Sequence, residues 1–232
     1  MMYSGAKCDE AGFSLIELLI VLVLIFILTG ISLFYLSGHQ ELYKPDDQAL
    51  QIVDILHEAR QRALTQRETM RVEINRATNS ITLIDENTIQ DETDTADNDR
   101  VLKSLKLFDP SVVIVGVSPG QIAYNPPEPL PVPTTVFVPS VYPPSISQSV
   151  CTLRFRANGT VLNAGNDAIG SGAEVNGATM HIWSPSTANP ANSEIARSIT
   201  VIGSTGSIRM WEFDAGSTLE NKWRDSRRMG SR

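Results

Sequence analysis

An uncharged, strongly apolar run from Leu18 to Gly38 is the feature that most constrains how this chain can fold. A helix from Phe13 to Leu36 would be about 36 Å long at ~1.5 Å per residue. That length crosses a hydrocarbon core of about 30 Å. A cleaved secretory signal has an apolar region of only about 7–15 residues, followed by a small-x-small cleavage site. Tyr35-Leu36-Ser37-Gly38 is a poor site of that kind, so the run indicates a retained membrane anchor.

Composition sets the outer limits of the fold. The chain has 232 residues, of which 42% are hydrophobic and 19% charged, so a folded globular part is expected beyond the anchor. The formal net charge of −7 argues against a protein covered in nucleic-acid-binding surface. Cys8 and Cys151 are too few for a scaffold built on disulfides.

A single carboxylate, Glu17, stands at the start of the apolar run. Carboxylates near lipid are costly and usually need a partner. Taken alone, Glu17 is explained equally well as a solvated interfacial side chain or as a functional group. Its neighbours decide the question, because Gly12-Phe13-Ser14-Leu15-Ile16-Glu17 forms an ordered motif that opens the apolar helix.

This motif resembles the signature of the type IV prepilin and pseudopilin superfamily, in which a leader ending in Gly precedes Phe-Thr/Ser-Leu-Ile-Glu and an apolar run. The resemblance implies that a membrane prepilin peptidase cuts after Gly12, removes a leader of residues 1–12 and methylates the new amine of Phe13. The Glu17 carboxylate would then neutralise the amine of a neighbouring subunit in a medium of low dielectric constant. That pair would set the register of a helical filament.

Beyond the anchor, Pro45-Asp46-Asp47 indicates that a second helical segment begins after a break, with proline and acids in its first turn. Apolar residues then recur at three- and four-residue intervals, which predicts an amphipathic helix facing a core. The stripe consists of Ala49, Val53, Leu56, Ala59 and Ala63. Its polar face predicts a solvated surface.

After Glu68 the period changes to that of strands, with tight-turn signals between them. The predicted strands are Met70–Ile74, Ser80–Ile84, Val101–Phe108, Val112–Val117, Val150–Arg156, Thr160–Leu162, Ala178–Trp183, Ser198–Ile202 and Ser207–Phe213. We therefore expect an α+β, pilin-like fold in which a long N-terminal helix packs on antiparallel β-sheets. The expected parts are the leader 1–12, a transmembrane helix 13–38, its amphipathic extension 39–68 and a β-rich periplasmic domain 69–232.

Three globular segments are also similar to the GspH/FimT-type branch of the superfamily. They are Ala59-Arg60-Gln61-Arg62-Ala63, Leu153 to Gly159, and Arg197 to Val201 followed by Gly206 to Arg209. This resemblance implies a minor pseudopilin near the tip of a type II secretion pseudopilus. The alternative is a FimT-like minor pilin that acts in pilus initiation or DNA uptake.

The resemblance also implies a location and a set of partners. The chain would cross the bacterial inner membrane once, with its C-terminal domain in the periplasm, and would enter a filament after processing. Its partners would be the prepilin peptidase, the other pilins or pseudopilins of the filament and an inner-membrane assembly platform.

Two segments are interpreted as insertions into the expected fold. The proline-rich residues 119–144 favour an extended loop over the surface. Residues 85–99 are acidic but lack the ordered spacing of a calcium loop, which predicts a solvated hairpin tip.

The sequence offers no catalytic or metal-binding pattern. His39, His57 and His181 lack metal-ligand spacing, and no nucleophile-elbow motif surrounds a serine. Cys151 falls in a predicted strand and is expected to be a buried apolar residue. We therefore expect a protein that is not an enzyme and holds no cofactor or metal.

A group of cations near the C-terminus has three interpretations. It consists of Lys222, Arg224, Arg227 and Arg228. The group is a frayed solubilising tail, a docking surface for an acidic partner subunit, or a contact for DNA phosphates through salt-dependent electrostatics.

Overall fold

The computed structural model describes residues 14–86, 99–116, 136–143, 145–185, 196–214, 216 and 222–226, and of residues 34–42 only the helical backbone. The chain divides into two compact units, residues 1–41 and residues 42–232. Helix α1, Leu15–Gln66, supplies the described part of the first unit and enters the second.

The expected helix break before Pro45 was wrong, because α1 passes through this residue without interruption. Proline removes one backbone N–H and so one helical hydrogen bond. Local packing holds the helix at this turn. Pro45 is buried, and the Nε atom of Arg197 lies 2.5 Å from Oδ1 of Asp46.

The predicted apolar stripe of α1 is confirmed. Ala49, Leu56, Ala59 and Ala63 are fully buried, and Val53 packs partly buried against the same core. The buried face is wider than predicted, since it also includes Ile52 and Ile55. These residues pack against apolar side chains from both sheets of the second unit, including Val72, Leu153, Met180 and Val201.

Within the described residues eleven strands follow α1, and each of the nine predicted strands corresponds to one of them. They are β1 Thr69–Asn75, β2 Ser80–Glu86, β3 Arg100–Lys106, β4 Ile114–Gly116, β5 Phe137–Pro139, β6 Ser149–Phe155, β7 Val161–Leu162, β8 Ala178–Trp183, β9 Arg197–Ile202, β10 Ser207–Phe213 and β11 Trp223–Asp225. The sequence analysis missed β5 and β11, which are both short.

The strands form two antiparallel sheets. The first has six strands in the order β3-β2-β1-β6-β5, with β7 paired to β6. The second has five strands in the order β11-β10-β9-β8-β4. The expected α+β class, a long helix followed by antiparallel sheets, is confirmed.

The two expected surface insertions are wrong at their described ends. Strand β5 pairs with β6, and Tyr142 is fully buried with its hydroxyl donating to the Ala164 carbonyl oxygen at 2.6 Å. At the acidic segment, Asp99 is drawn inward, with Oδ2 2.7 Å from Nη2 of the buried Arg71. Residues 117–135 and 87–98 lie outside the described part of the chain.

A network of buried charges lies on the face of the first sheet opposite the core. Arg71 donates from Nε to Glu73 at 2.8 Å and from Nη1 to Glu86 at 3.0 Å. Arg154 contacts both oxygens of Glu86, with Nε 2.9 Å from each and Nη2 2.7 Å from Oε2. All four side chains are buried, so the charges must neutralise one another because little water reaches them.

Distant segments of the chain cover this network. The guanidinium carbon of Arg71 lies 3.9 Å from the centroid of the Tyr142 ring, and the Ser145 hydroxyl donates to Glu73 at 3.2 Å. Burial raises the pKa of the Glu73 carboxyl, although Arg71 opposes that shift. Burial also raises the pKa of Tyr142 to about 12. The network therefore attaches Tyr142 and Ser145 to the first sheet.

A second apolar cluster, made of Ala196, Trp211, Phe213 and Trp223, closes the second sheet. The Trp223 ring of β11 lies 5.2 Å from Phe213 and 5.5 Å from His181, measured between ring centroids. His181 is 3% exposed, and its burial lowers the pKa to about 4 from 6.5. The imidazole is therefore neutral in the folded state at neutral pH.

We predict that Glu86→Gln lowers the free energy of unfolding by about 3–5 kcal/mol, because it leaves Arg71 and Arg154 buried with one fewer carboxylate. Urea unfolding of the full chain in detergent micelles, followed by tryptophan fluorescence, measures this change. Glu58→Gln is the matched control. Glu58 accepts from Arg62 at 2.8 Å and Lys103 at 3.1 Å in a partly exposed position, where loss of the pairs costs about 1 kcal/mol or less. Equal effects of the two variants would contradict the prediction.

We also predict a contribution of His181 to acid destabilisation. Its folded pKa lies below its unfolded value, so the unfolded chain takes up the proton first as the pH falls. The stabilisation is complete above about pH 6.5 and declines towards pH 4, by up to about 3 kcal/mol. The Tm of the wild type should therefore fall more steeply across this range than that of His181→Phe. Parallel Tm curves would exclude His181 as the source.

Candidate assembly site

The N-terminal part of α1 is a long, exposed apolar surface. Residues Leu15–Leu33 are long and apolar enough to cross a membrane, by length and composition. Every described side chain from Leu15 to Leu33 is exposed. The Thr29 hydroxyl donates to the Ile25 carbonyl oxygen at 2.7 Å, so this polar group is satisfied within the helix. Internal satisfaction of polar groups is what a hydrocarbon environment requires.

Glu17 lies in the first turn of α1 and is exposed. It is the only charged residue between Ser14 and Leu33, and no basic side chain occurs in that range. The positive end of the helix dipole favours a carboxylate in the first turn. A full cationic partner has to come from outside residues 14–33. The geometry thus presents one carboxylate on an otherwise uncharged, exposed apolar helix.

The two predicted processing residues, Gly12 and Phe13, lie outside the described residues. The described helix begins directly after them, since the Leu18 amide already donates to the Ser14 carbonyl oxygen at 3.1 Å. Cleavage after Gly12, methylation of Phe13 and the pairing of Glu17 with an amine remain predictions.

The predicted C-terminal cations are in the second unit. Lys222 precedes β11, and Arg224 is in that strand, with Nη2 2.7 Å from Oδ2 of Asp214. The frayed-tail interpretation is wrong for residues 222–226, because β11 pairs with β10 and Trp223 is buried. Arg227 and Arg228 lie outside the described residues. The structure therefore does not bring Lys222 or Arg224 into the unit that holds Glu17.

The Cys151 thiol is enclosed in the protein core rather than exposed for reaction. Cys151 is fully buried and free, and burial raises the pKa of its thiol to about 12. Its predicted burial is confirmed. Within the described ranges, no group of three or more His, Cys, Asp and Glu residues could hold a metal ion.

A cleft of about 530 Å³ lies beyond the C-terminal end of α1 and was not predicted from the sequence. Arg67, Glu68, Arg154, Arg156 and Gly170 are among the residues that line it. These residues come from the end of α1, the end of β6 and the loop after β7, so no local pattern unites them. The sequence offered one signal for this cleft, the pair Arg154 and Arg156, which lie two positions apart at the end of a predicted strand.

Two comparisons with known proteins found a similarity, and one of them is confined to the N-terminal segment. Residues 7–33, which include Gly12, Phe13 and Glu17, match the prokaryotic N-terminal methylation motif. The N-terminal segment is thus of the type IV pilin and pseudopilin class, and the fold behind it, a helix followed by antiparallel sheets, is pilin-like. The superfamily resemblance is confirmed, whereas the GspH/FimT branch remains a prediction.

A crystal structure of the type IV minor pilin FimU from Pseudomonas aeruginosa strain PAO1 is similar to this chain. The identity is 12%, the similarity covers 80% of this chain and 98% of that chain, and the TM-score is 0.41. A likeness at that level carries no argument about function. No curated protein matches the chain.

We predict that the chain, produced in bacteria with an active prepilin peptidase, starts at an N-methylated Phe13. Intact-mass and peptide mass spectrometry of the membrane fraction measures this processing. Gly12→Val should block it, because a β-branched residue resists the close backbone approach that glycine allows. Gly5→Ala, a glycine change elsewhere in the leader, should leave processing intact. A wild-type chain that retains residues 1–12 in the same membranes would refute the prediction.

Proposed function

We propose that this chain is a minor, non-enzymatic subunit of a filament assembled from the bacterial inner membrane, and specifically a minor pseudopilin of a type II secretion system. A prepilin peptidase removes residues 1–12. Before assembly, the N-terminal part of α1 anchors the subunit in the inner membrane, with residues 42–232 in the periplasm. The subunit then joins a pseudopilus that supports protein secretion.

The observation that carries this proposal is the isolation of Glu17. A carboxylate on an exposed apolar helix is costly in lipid unless it meets a positive charge. Cleavage after Gly12 creates such a charge at Phe13, but only four residues from Glu17 along the same chain. The amine of a neighbouring subunit is a partner that can also fix the stagger between subunits. The apolar faces of adjacent helices then cover one another as the filament leaves the membrane.

The proposed position is below the outermost subunit of the tip. In the superfamily that this chain resembles, the outermost tip subunit commonly lacks the carboxylate at this position, whereas Glu17 is present here. A place within an initiating complex fits the same feature. The partners would be other pseudopilins and the inner-membrane assembly platform.

The surroundings of the titratable groups support a structural role. His181 is buried and neutral, and the Cys151 thiol is fully buried. Arg71, Glu86 and Arg154 are occupied with one another in the buried network. Each group thus has a folding role that accounts for its presence.

A FimT-like minor pilin that engages DNA is the second candidate. It is favoured by the ordered strand β11, which holds Arg224 and the adjacent Lys222 at the edge of the second sheet. The pairing of Arg224 with Asp214 at 2.7 Å offsets one of these charges. Phosphate contacts need cations that can displace counterions, so this pairing supports the secretion candidate over the DNA candidate.

We predict that a clean deletion in the native bacterium abolishes exoprotein secretion and leaves twitching and transformation unchanged. Complementation with the wild type should restore secretion. Glu17→Leu should fail to restore it while the chain stays processed and membrane-bound, because this change keeps the apolar anchor and removes only the partner for the amine. Secretion, twitching and transformation are measured side by side in the same strains.

The matched control is Glu58→Gln, which changes a partly exposed carboxylate of α1 in the second unit and should complement fully. Loss of twitching or transformation with intact secretion would replace the first candidate with the FimT-like pilin. Full complementation by Glu17→Leu would refute the assembly role of this carboxylate in either machine.

A further inference from the structure

The cleft beyond the end of α1 combines three arginines with little acidic compensation. Arg67, Arg154 and Arg156 line it, together with one carboxylate, Glu68. Arg154 is already committed, because its guanidinium contacts both oxygens of the buried Glu86. Arg67 and Arg156 are exposed, and neither has an ion-pair partner among the residues that the structure describes. Guanidinium groups stay charged at every physiological pH, so the cleft presents two unpaired guanidinium groups, Arg67 and Arg156, and one carboxylate, Glu68.

Arg67 lies at a backbone position that glycine usually occupies. Arg67 follows the last residue of α1 and has a φ of 62°, in the left-handed region. Its amide donates to the Ala63 carbonyl oxygen at 3.1 Å, which terminates the helix. Glycine is the usual residue at such a position because it adopts this conformation without a steric penalty. A strained non-glycine residue beside a cleft is an observation from which a functional role can be inferred.

The opposite wall of the cleft is fixed by the loop after β7. Arg154 donates from Nη1 to the Gly170 carbonyl oxygen at 3.2 Å, and a Cβ atom on Gly170 would collide with the Arg154 guanidinium. Gly170 also has a φ of 76°, which favours glycine. The cleft is therefore a fixed part of the second unit, because Arg154 of the buried charge network holds the loop that forms its wall.

We propose that this cleft binds a carboxylate-bearing segment of a partner protein. A guanidinium offers two parallel donors that match the two oxygens of a carboxylate. The cleft is concave and has two available guanidinium groups, which suits one or two acidic side chains. The identification of that partner as another filament subunit rests on the proposed function, whereas the binding chemistry of the cleft does not.

Nucleic acid fits the cleft less well. A duplex needs a stripe of cations that neutralises several phosphates at once. Here the chain as a whole has a formal charge of −7, and Glu68 lines the same cleft. Close by, the carboxyl of Asp85 has a raised pKa, mainly because of burial and secondarily because of the Glu68 charge. These carboxylates disfavour a duplex, and two unpaired arginines suit a few acidic side chains better than a continuous row of phosphates.

The test uses the full chain in neutral detergent micelles at low ionic strength. A fluorescently labelled oligoglutamate peptide should bind, and an oligoglutamine peptide of the same length should not. Arg67→Gly and Arg156→Gln should each weaken binding about tenfold or more, as expected for loss of a charge-assisted hydrogen-bonded pair. Fluorescence anisotropy measures the Kd.

Arg67→Gly is informative because it removes the side chain and relieves the left-handed strain, so Tm should stay the same or rise. Lys106→Gln is the control, since it removes an equal charge from an exposed position that does not line the cleft. It should leave the Kd within about twofold of the wild type, as expected for a screened distant charge.

Three results would overturn the proposal. They are an absence of oligoglutamate binding, an unchanged Kd in both arginine variants, and a short DNA duplex that binds more tightly than oligoglutamate with the same dependence on Arg67 and Arg156. Failure here leaves the role of Glu17 untouched, because complementation of secretion reports on the N-terminal helix alone. Conversely, oligoglutamate binding with full complementation by Glu17→Leu would uphold the cleft and refute the assembly role of Glu17.

Discussion

Helix α1 meets two different apolar environments along its length. Residues 15–33 are exposed apolar side chains with a single carboxylate, whereas Ala49 to Ala63 present a buried stripe to two sheets. The first part needs a solvent of hydrocarbon or of other helices, and the second carries its own protein core. The described architecture depends on this difference, because the second part of α1 packs into one core with side chains of both sheets. Pro45 is tolerated between them because Asp46 and Arg197 hold that turn.

Buried charges organise the face of the first sheet that lies opposite the core. Arg71 and Arg154 are adjacent across the β1–β6 pair, and Glu86 lies between their guanidinium groups. Tyr142, Ser145 and the loop at Gly170 contact the network, and exclusion of water from it strengthens the attraction between the charges. Segments without regular structure are thereby fixed to a sheet through charge rather than through apolar area. The exposed cleft at Arg67 and Arg156 borders this arrangement and shares Arg154 with it.

Local periodicity predicted most of the fold. The spacing of Ala49, Leu56 and Ala59 identified the buried helix face, and alternation identified nine strands, because both patterns are set by neighbours in sequence. Strands β5 and β11 were missed, since their proline-rich and basic contexts resemble loops and tails. The burial of Arg71 was equally invisible. An alternating charge on a strand predicts a solvated face, and the side chains that cover it come from positions far along the chain.

The residues singled out for function also differ in whether the sequence could predict them. Glu17 could be predicted because the residues that give it meaning, Gly12 to Ile16, are contiguous. The cleft could not, since Arg67 and Arg156 are joined only by the pairing of β1 with β6. The processing motif is contiguous, whereas the cleft is assembled from separate elements.

The thiol of Cys151 offers a different view of the same sheet. Its backbone pairs with Ile74 on one side and with Phe137 on the other, and the side chain is fully enclosed. In an oxidising compartment an accessible lone thiol is open to mixed disulfides. Enclosure protects this one only after β6 has joined its neighbours. In a chain exported to such a compartment, the thiol would therefore be open to oxidation until the sheet closes, for an interval set by the rate of a long-range strand pairing.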